Sequence, residues 1–183
     1  MSAMLALLFG LIALIYASVG FGGGSSYTAI LTLIGIEPRL IPVISLCCNI
    51  VVVTGGTIRF WRAGLIDWKT VLPLLAVSAP LAFLGGLTPL KETTLLLILG
   101  STLLLSAVAL LMPQERLPGV KLPQPIIFGL SGAVGLLAGL SGIGGGIFMA
   151  PVLHLIRWAD AKRVAAFASL YILVNSIAGL AGQ

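Results

Sequence analysis

Gly20-Phe21-Gly22-Gly23-Gly24-Ser25 and Gly142-Ile143-Gly144-Gly145-Gly146-Ile147 are near copies, set 122 residues apart, each between two apolar segments. Glycine admits positive φ and lets a ligand come close to the main chain. A helix is expected to begin behind each loop, at about Ser25 and Ile147. Its first N–H groups have no internal partner, and its dipole puts partial positive charge at the same end. Two such ends brought together make a site for a small anion without a buried lysine or arginine. The neighbouring segments carry no interior acidic residue that would repel one. Neither loop has the G-x-G-x-x-G spacing of a dinucleotide site, and no Gly-Lys-Ser/Thr follows as in a phosphate-binding loop.

The candidate binding residues are therefore Gly22, Gly23, Gly24, Ser25 and Ser26 in the first loop, and Gly144, Gly145 and Gly146 in the second. Ser45 and Asn49 lie four apart and share a helix face. Ser169 and Asn175 are offered from the last apolar segment, with Ser176 seven residues beyond Ser169. Aligning Ser45-Leu46 with Ser169-Leu170 makes the serines equivalent and leaves the asparagines unmatched. The competing reading is that these serines and asparagines join helices, a common use of such residues in membranes. His154, the single histidine, is either a proton relay suited to proton-coupled export or an interfacial polar group. Gly135 and Gly139 read as a packing face, Trp61, Trp68 and Trp158 as interfacial anchors, and Cys47 and Cys48 as small apolar residues. No paired acids, histidine cluster or activated nucleophile occurs in the spans. No enzyme, metal site or cofactor is expected.

Those residues must be positioned by apolar helices. Hydrophobic residues make up 59% of the chain, charged residues 8%, and mean hydropathy is +1.19. A soluble domain carries about 25% charge. Charge and proline punctuation marks apolar segments at roughly 3–20, 25–36, 40–58, 70–88, 93–111, 124–140, 147–157 and 162–182. The fold class is all-α: a polytopic membrane protein with about eight helical segments in two inverted repeats. The chain forms one transmembrane domain over 1–183, with repeat one at about 1–111 and an incomplete repeat two at about 124–183. Segments 25–36 and 147–157 follow the glycine loops and are half-helices, each about half the hydrocarbon core. Short, glycine-interrupted segments at matching positions of two halves point to a transporter's binding site. Met1 to Tyr16 holds no charge, so the first segment does not read as a removable signal peptide. The net charge of +5 does not indicate nucleic acid, because the basic residues sit in separate loops and form no continuous face.

Arg59, Arg62, Lys69, Arg116, Lys121, Arg157, Lys162 and Arg163 fall on one side of this topology, Arg39 and Lys91 on the other. The positive-inside rule then sets the larger group in the cytoplasm and the N-terminus outside. An odd number of intervening segments inverts the second half relative to the first, so the loops approach from opposite faces.

The glycine loop after the first helix, repeated after the sixth, resembles the TauE/SafE family of sulfite exporters and related anion permeases. The tract Arg59-Phe60-Trp61-Arg62-Ala63-Gly64-Leu65-Ile66-Asp67-Trp68 is similar to that family's cytoplasmic connection after the third helix. The resemblance implies export of sulfite, or of another small sulfur oxyanion or organic acid, across the cell membrane, the inner membrane in a bacterium. It also implies that further spans follow Gly179-Leu180-Ala181-Gly182-Gln183, so the chain reads as truncated. The expected partners are a small anionic substrate, the lipid bilayer and, through His154, a proton. A non-transporting membrane scaffold or subunit is the alternative.

Overall fold

The computed structural model describes residues 2–88, 92–111, 122–156 and 158–183. Every regular element among them is helical: α1 Ser2–Val19, α2 Gly24–Leu33, α3 Leu40–Arg62, α4 Trp68–Gly86, α5 Glu92–Leu111, α6 Gln124–Ser141, α7 Gly146–Leu155 and α8 Ala161–Gly182. Four of these, α3, α4, α6 and α8, are long and apolar enough to cross a membrane. Helices α2 and α7 have 10 residues each, about 15 Å at 1.5 Å per residue. Leu33, Val51 and Leu111 are 85%, 78% and 82% exposed. Apolar side chains this bare fit a lipid surround, which costs them nothing.

Local chemistry fixes the helix ends. The Asp67 carboxylate caps α4, accepting from the Lys69 N–H at 3.2 Å and the Thr70 hydroxyl at 2.7 Å. Asp160 caps α8 by accepting from the Arg163 N–H at 3.1 Å. Arg59 and Arg62 sit in the last turn of α3, where positive charge complements the dipole. The Thr70 hydroxyl, then the backbone N–H groups of Lys69 and Thr70 and the nearby Arg163, hold the Asp67 carboxyl below its ordinary value. A carboxylate lowered in the fold adds stability above its unfolded value, about pH 4, and that stability is lost as pH falls through the folded one. Asp67→Asn keeps a capping side chain. The variant is therefore expected to lose less stability than the parent on acidification below about pH 4. Thermal unfolding across that range measures it, and parallel acid slopes would rule the carboxylate out.

Helices α4, α6 and α8 cross closely because glycine meets backbone. A Cβ on Gly135 would overlap the Ser78 carbonyl group, and one on Gly139 the Ala82 carbonyl oxygen and, at 2.8 Å, the Gly86 nitrogen. Gly86 and Gly182 do the same between α4 and α8, against the carbonyls of Gly179 and Phe83. Gly135 and Gly139 are thus a packing face. Around the crossing, Val71, Leu74, Met149, Leu153, Phe167 and Tyr171 form the apolar core. Sequence reasoning did not find the seam within it. The Tyr171 hydroxyl donates to the Ser131 carbonyl at 2.7 Å, and the Ser131 hydroxyl donates to the Leu74 carbonyl at 3.0 Å.

The bundle has two chemically different ends. At one, Val19, Phe60, Ala161 and Lys162 border a common cavity, and Asp67 lies beside Arg163. Arg59, Arg62, Lys69, Lys162 and Arg163 therefore gather at that end. Arg39, Leu87, Leu140 and Gln183 border a cavity at the other. Lys91, Arg116, Lys121, Arg157 and the side chain of His154 lie outside the described residues. Trp61 and Trp68 are exposed at the basic end, but Trp158 packs edge-on against Phe167 with ring centroids 5.6 Å apart. Cys47 is exposed, Cys48 half-buried, and both are free.

Candidate functional site

Helix α1 and α2 form a hairpin held by ring contact between Phe9 and Tyr27, 4.8 Å between centroids, and by a 2.9 Å hydrogen bond between Tyr16 and Ser26. The turn uses Gly20 and Gly23, both at φ +83°. The second loop uses Gly142, Gly144 and Gly145 at φ +73°, +81° and +80°. Side chains rarely adopt these angles, which explains glycine at each position.

The two loops enter from opposite ends of the bundle and meet inside it. Gly20 abuts Ala165 at the start of α8, where an added Cβ would lie 3.0 Å from the carbonyl oxygen. Reciprocally, Gly142 abuts Pro42 at the start of α3, with 2.5 Å to its Cα. A Cβ on Gly23 would meet Ile12 at 3.0 Å, and one on Gly145 would meet Val134 at 3.2 Å, the same contact repeated in the second half. At the meeting point a Cβ on Gly24 would stand 2.9 Å from the Ile143 Cα.

Two side chains of α3 stitch the loops together. The Ser45 hydroxyl lies 3.0 Å from the Gly24 carbonyl oxygen and 2.8 Å from that of Gly142, so it donates to one loop or the other while accepting from Thr28 at 3.2 Å. The Asn49 Nδ2 donates to the Ile143 carbonyl at 3.0 Å. Asn49 also faces the first loop, its carboxamide carbon 2.9 Å from a Cβ built on Gly22. Both residues are fully buried, as their shared helix face requires.

Donors remain free here. Among the described residues, the backbone N–H groups of 22–25 and 143–147 take no acceptor. Gly22, Gly23, Gly24, Ser25, Ile143 and Ile147 line one small cavity of about 10 Å³, with Tyr16, Phe21 and Ile172. Two buried side-chain atoms beside the loops also lack partners, Asn49 Oδ1 and Ser176 Oγ. The Ser176 hydroxyl sits 2.7 Å from a Cβ built on Gly144. Ser176 is thus a neighbour of the second loop, a place fixed by how α8 crosses that loop. Phe21 borders both the central cavity and the cavity of about 550 Å³ at the basic end, which Lys162 also lines. A cavity of about 550 Å³ at the opposite end is lined by Arg39 and Pro42.

Other expected site residues are placed elsewhere. Ser169 joins α8 to α3, bonding Thr57 at 2.9 Å and donating to the Val53 carbonyl at 3.3 Å. Asn175 donates to the Tyr171 carbonyl of its own helix at 2.9 Å and leaves Oδ1 without a partner. Gly146 faces Ile172 and, at 3.1 Å, the Ala168 carbonyl. Apolar Ile172 is thus the α8 side chain that the second loop meets at Gly146.

The model of the family described as Sulfite exporter TauE/SafE matches residues 5–183. A relative in Sinorhizobium fredii, the "Probable membrane transporter protein y4hK", is 36% identical over 184 residues, covering 97% of this chain and 74% of the relative. No solved structure gives a significant match.

Proposed function

Since the chain belongs to the TauE/SafE sulfite exporter family of membrane transporters, we propose that it moves a small anion, sulfite or a related sulfur oxyanion or organic acid, out of the cell by alternating access. One observation carries the reading. Gly22, Gly23, Gly24, Ser25, Ile143 and Ile147, whose N–H groups take no acceptor, line one cavity, and the N–H groups of 144–146 beside it are free as well. Each belongs to a helix start, so each end adds about half a positive charge. An anion there gains donors and field with no buried cation to desolvate. Gly22, Gly23, Gly24, Ser25, Gly144, Gly145, Gly146 and Asn49 are the proposed binding residues. Ser45 sets the spacing of the loops, Ser26 steadies the hairpin through Tyr16, and Ser169 and Asn175 act in helix packing.

The reciprocal contacts of Gly20 with Ala165 and Gly142 with Pro42 support two inverted repeats within one transmembrane domain. The two cavities of about 550 Å³ are then the vestibules of the two access states, separated by the crossed loops. The basic end is cytoplasmic by charge count, and the protein lies in the cell membrane with its N-terminus outside. Lys162 draws anions to the inner vestibule, and Phe21 stands between that vestibule and the loops.

The test is uptake of radiolabelled sulfite and other small oxyanions by proteoliposomes. Orientation is scored by an impermeant thiol reagent on Arg62→Cys in a background with Cys47 and Cys48 replaced by alanine. Uptake above protein-free vesicles is expected, and so is labelling at position 62 from the cytoplasmic side alone. Uptake at background for every anion would favour the scaffold reading, and labelling from outside intact cells would reverse the orientation.

A further inference from the structure

Asn49 offers its surroundings something that an anion site does not need, an acceptor. Its Nδ2 is committed to the Ile143 carbonyl at 3.0 Å. Turning the amide over would set Oδ1 against that carbonyl oxygen, so the orientation is fixed. Oδ1 consequently faces Gly22 of the first loop, fully buried and with no donor. An unpaired buried acceptor loses its hydration and gains nothing in return. The nearby free groups of the loops, by contrast, are N–H donors. The site therefore asks for a ligand with several acceptors and one donor.

Charge narrows the ligand further. The buried polar residues among those described are serines, threonines and asparagines, all neutral. Positive potential comes from two helix starts, each worth about half an elementary charge. Together they match one negative charge. A second would be left uncompensated in a buried site, where desolvating a charge is unfavourable.

We propose that the crossed loops select a hydrogen-bearing oxyanion of single negative charge, whose oxygens accept from the N–H groups of 22–25 and 143–147 and whose O–H donates to Asn49 Oδ1. The proposal deepens the transport reading and rests on it. Gly146 of the second loop faces the apolar Ile172, so the donor demand comes from the first loop, and one O–H satisfies it. Ser176 Oγ can donate or accept and does not discriminate. The space between the loops is about 10 Å³, so the anion enters as they part.

The experiment is ligand-induced thermal stabilisation of the detergent-purified protein, which needs no flux and is untouched by passive leakage of sulfur dioxide. The probes are sulfite, sulfate and nitrate, titrated from below to above the second dissociation of sulfurous acid. Sulfite has one O–H and one charge below it, and two charges with no O–H above it. Sulfate stays a dianion, and nitrate is a monoanion with no O–H. The expected result is that the apparent affinity for total sulfite falls about tenfold per pH unit above that dissociation. Sulfate should bind weakly throughout, and nitrate about tenfold more weakly than hydrogensulfite, the size of one hydrogen bond. In Asn49→Leu the preference for hydrogensulfite over nitrate should shrink to about twofold. Sulfate binding as tightly as sulfite, or sulfite binding that strengthens as pH rises, would overturn the single-charge proposal and leave anion transport standing. Equal affinity for nitrate and hydrogensulfite in the parent would remove the role of Asn49. Those parent titrations decide the matter even where the leucine variant fails to fold. Stabilisation by none of the three would overturn the anion site itself.

Discussion

Gly24→Val is expected to reduce anion flux per correctly inserted molecule by at least a hundredfold, about 2.7 kcal/mol of lost transition-state stabilisation. Gly24 is the first residue of α2, and its φ is not in the left-handed region. The substitution thus leaves the backbone conformation attainable. What changes is the meeting of the loops. The new Cβ would stand 2.5 Å from Asn49 Nδ2 and 2.9 Å from the Ile143 Cα and carbonyl oxygen. Interiors are too dense to absorb such overlaps, so the Asn49–Ile143 hydrogen bond breaks and the second loop is pushed away. The N–H groups then no longer converge on one anion. Gly23→Val and Gly145→Val should have comparable effects through a second route, since both sites sit near φ +80° and a β-branched residue is disfavoured there. Gly10→Val is the control, because a Cβ there meets nothing within 4 Å. Flux in proteoliposomes, normalised to inserted protein, is the measurement. Near-parental flux in Gly24→Val would show that substrate does not pass between the loops.

Gly139→Val should instead cost folded protein. Its Cβ would overlap the Ala82 carbonyl oxygen and stand 2.8 Å from the Gly86 nitrogen. These are backbone atoms of α4, so no rotamer change relieves the clash and two helices must separate. Overpacking against flexible side chains costs about 1–3 kcal/mol, and this case belongs at or above the upper end. Gly135→Val, facing the Ser78 backbone, should behave alike. The readout is the yield of monodisperse protein after extraction and its thermal midpoint. A midpoint equal to the parent's would mean that α4 and α6 do not touch through this face in the membrane. Whatever protein survives should keep most of its flux per molecule, the opposite of Gly24→Val.

The contrast between these glycines shows how far the sequence reads on its own. Its apolar runs dictate helices because lipid leaves no other partner for the backbone. The charges and prolines between the runs set the helix ends, as Asp67 and Asp160 illustrate by capping α4 and α8. The repeated loops announce two equivalent positive-φ turns, since few residues besides glycine occupy that region. Ser45 and Asn49, four apart, had to share a face, and that face meets both loops. Sequence could not say that Ser169 would be spent on Thr57 or that Ser176 would touch Gly144. A shift of one residue on a helix turns a side chain by about 100°, and only the packing of α8 against α3 and the second loop fixes that rotation. Nor could it show that Gly146 of the second loop would face the apolar Ile172. Composition, spacing and charge determined that this chain is a bundle of membrane helices with two glycine-led helix starts whose first N–H groups lack partners. The tertiary structure decided which polar atoms meet those starts, because long-range contact is set by how the helices cross and not by any local preference of the chain.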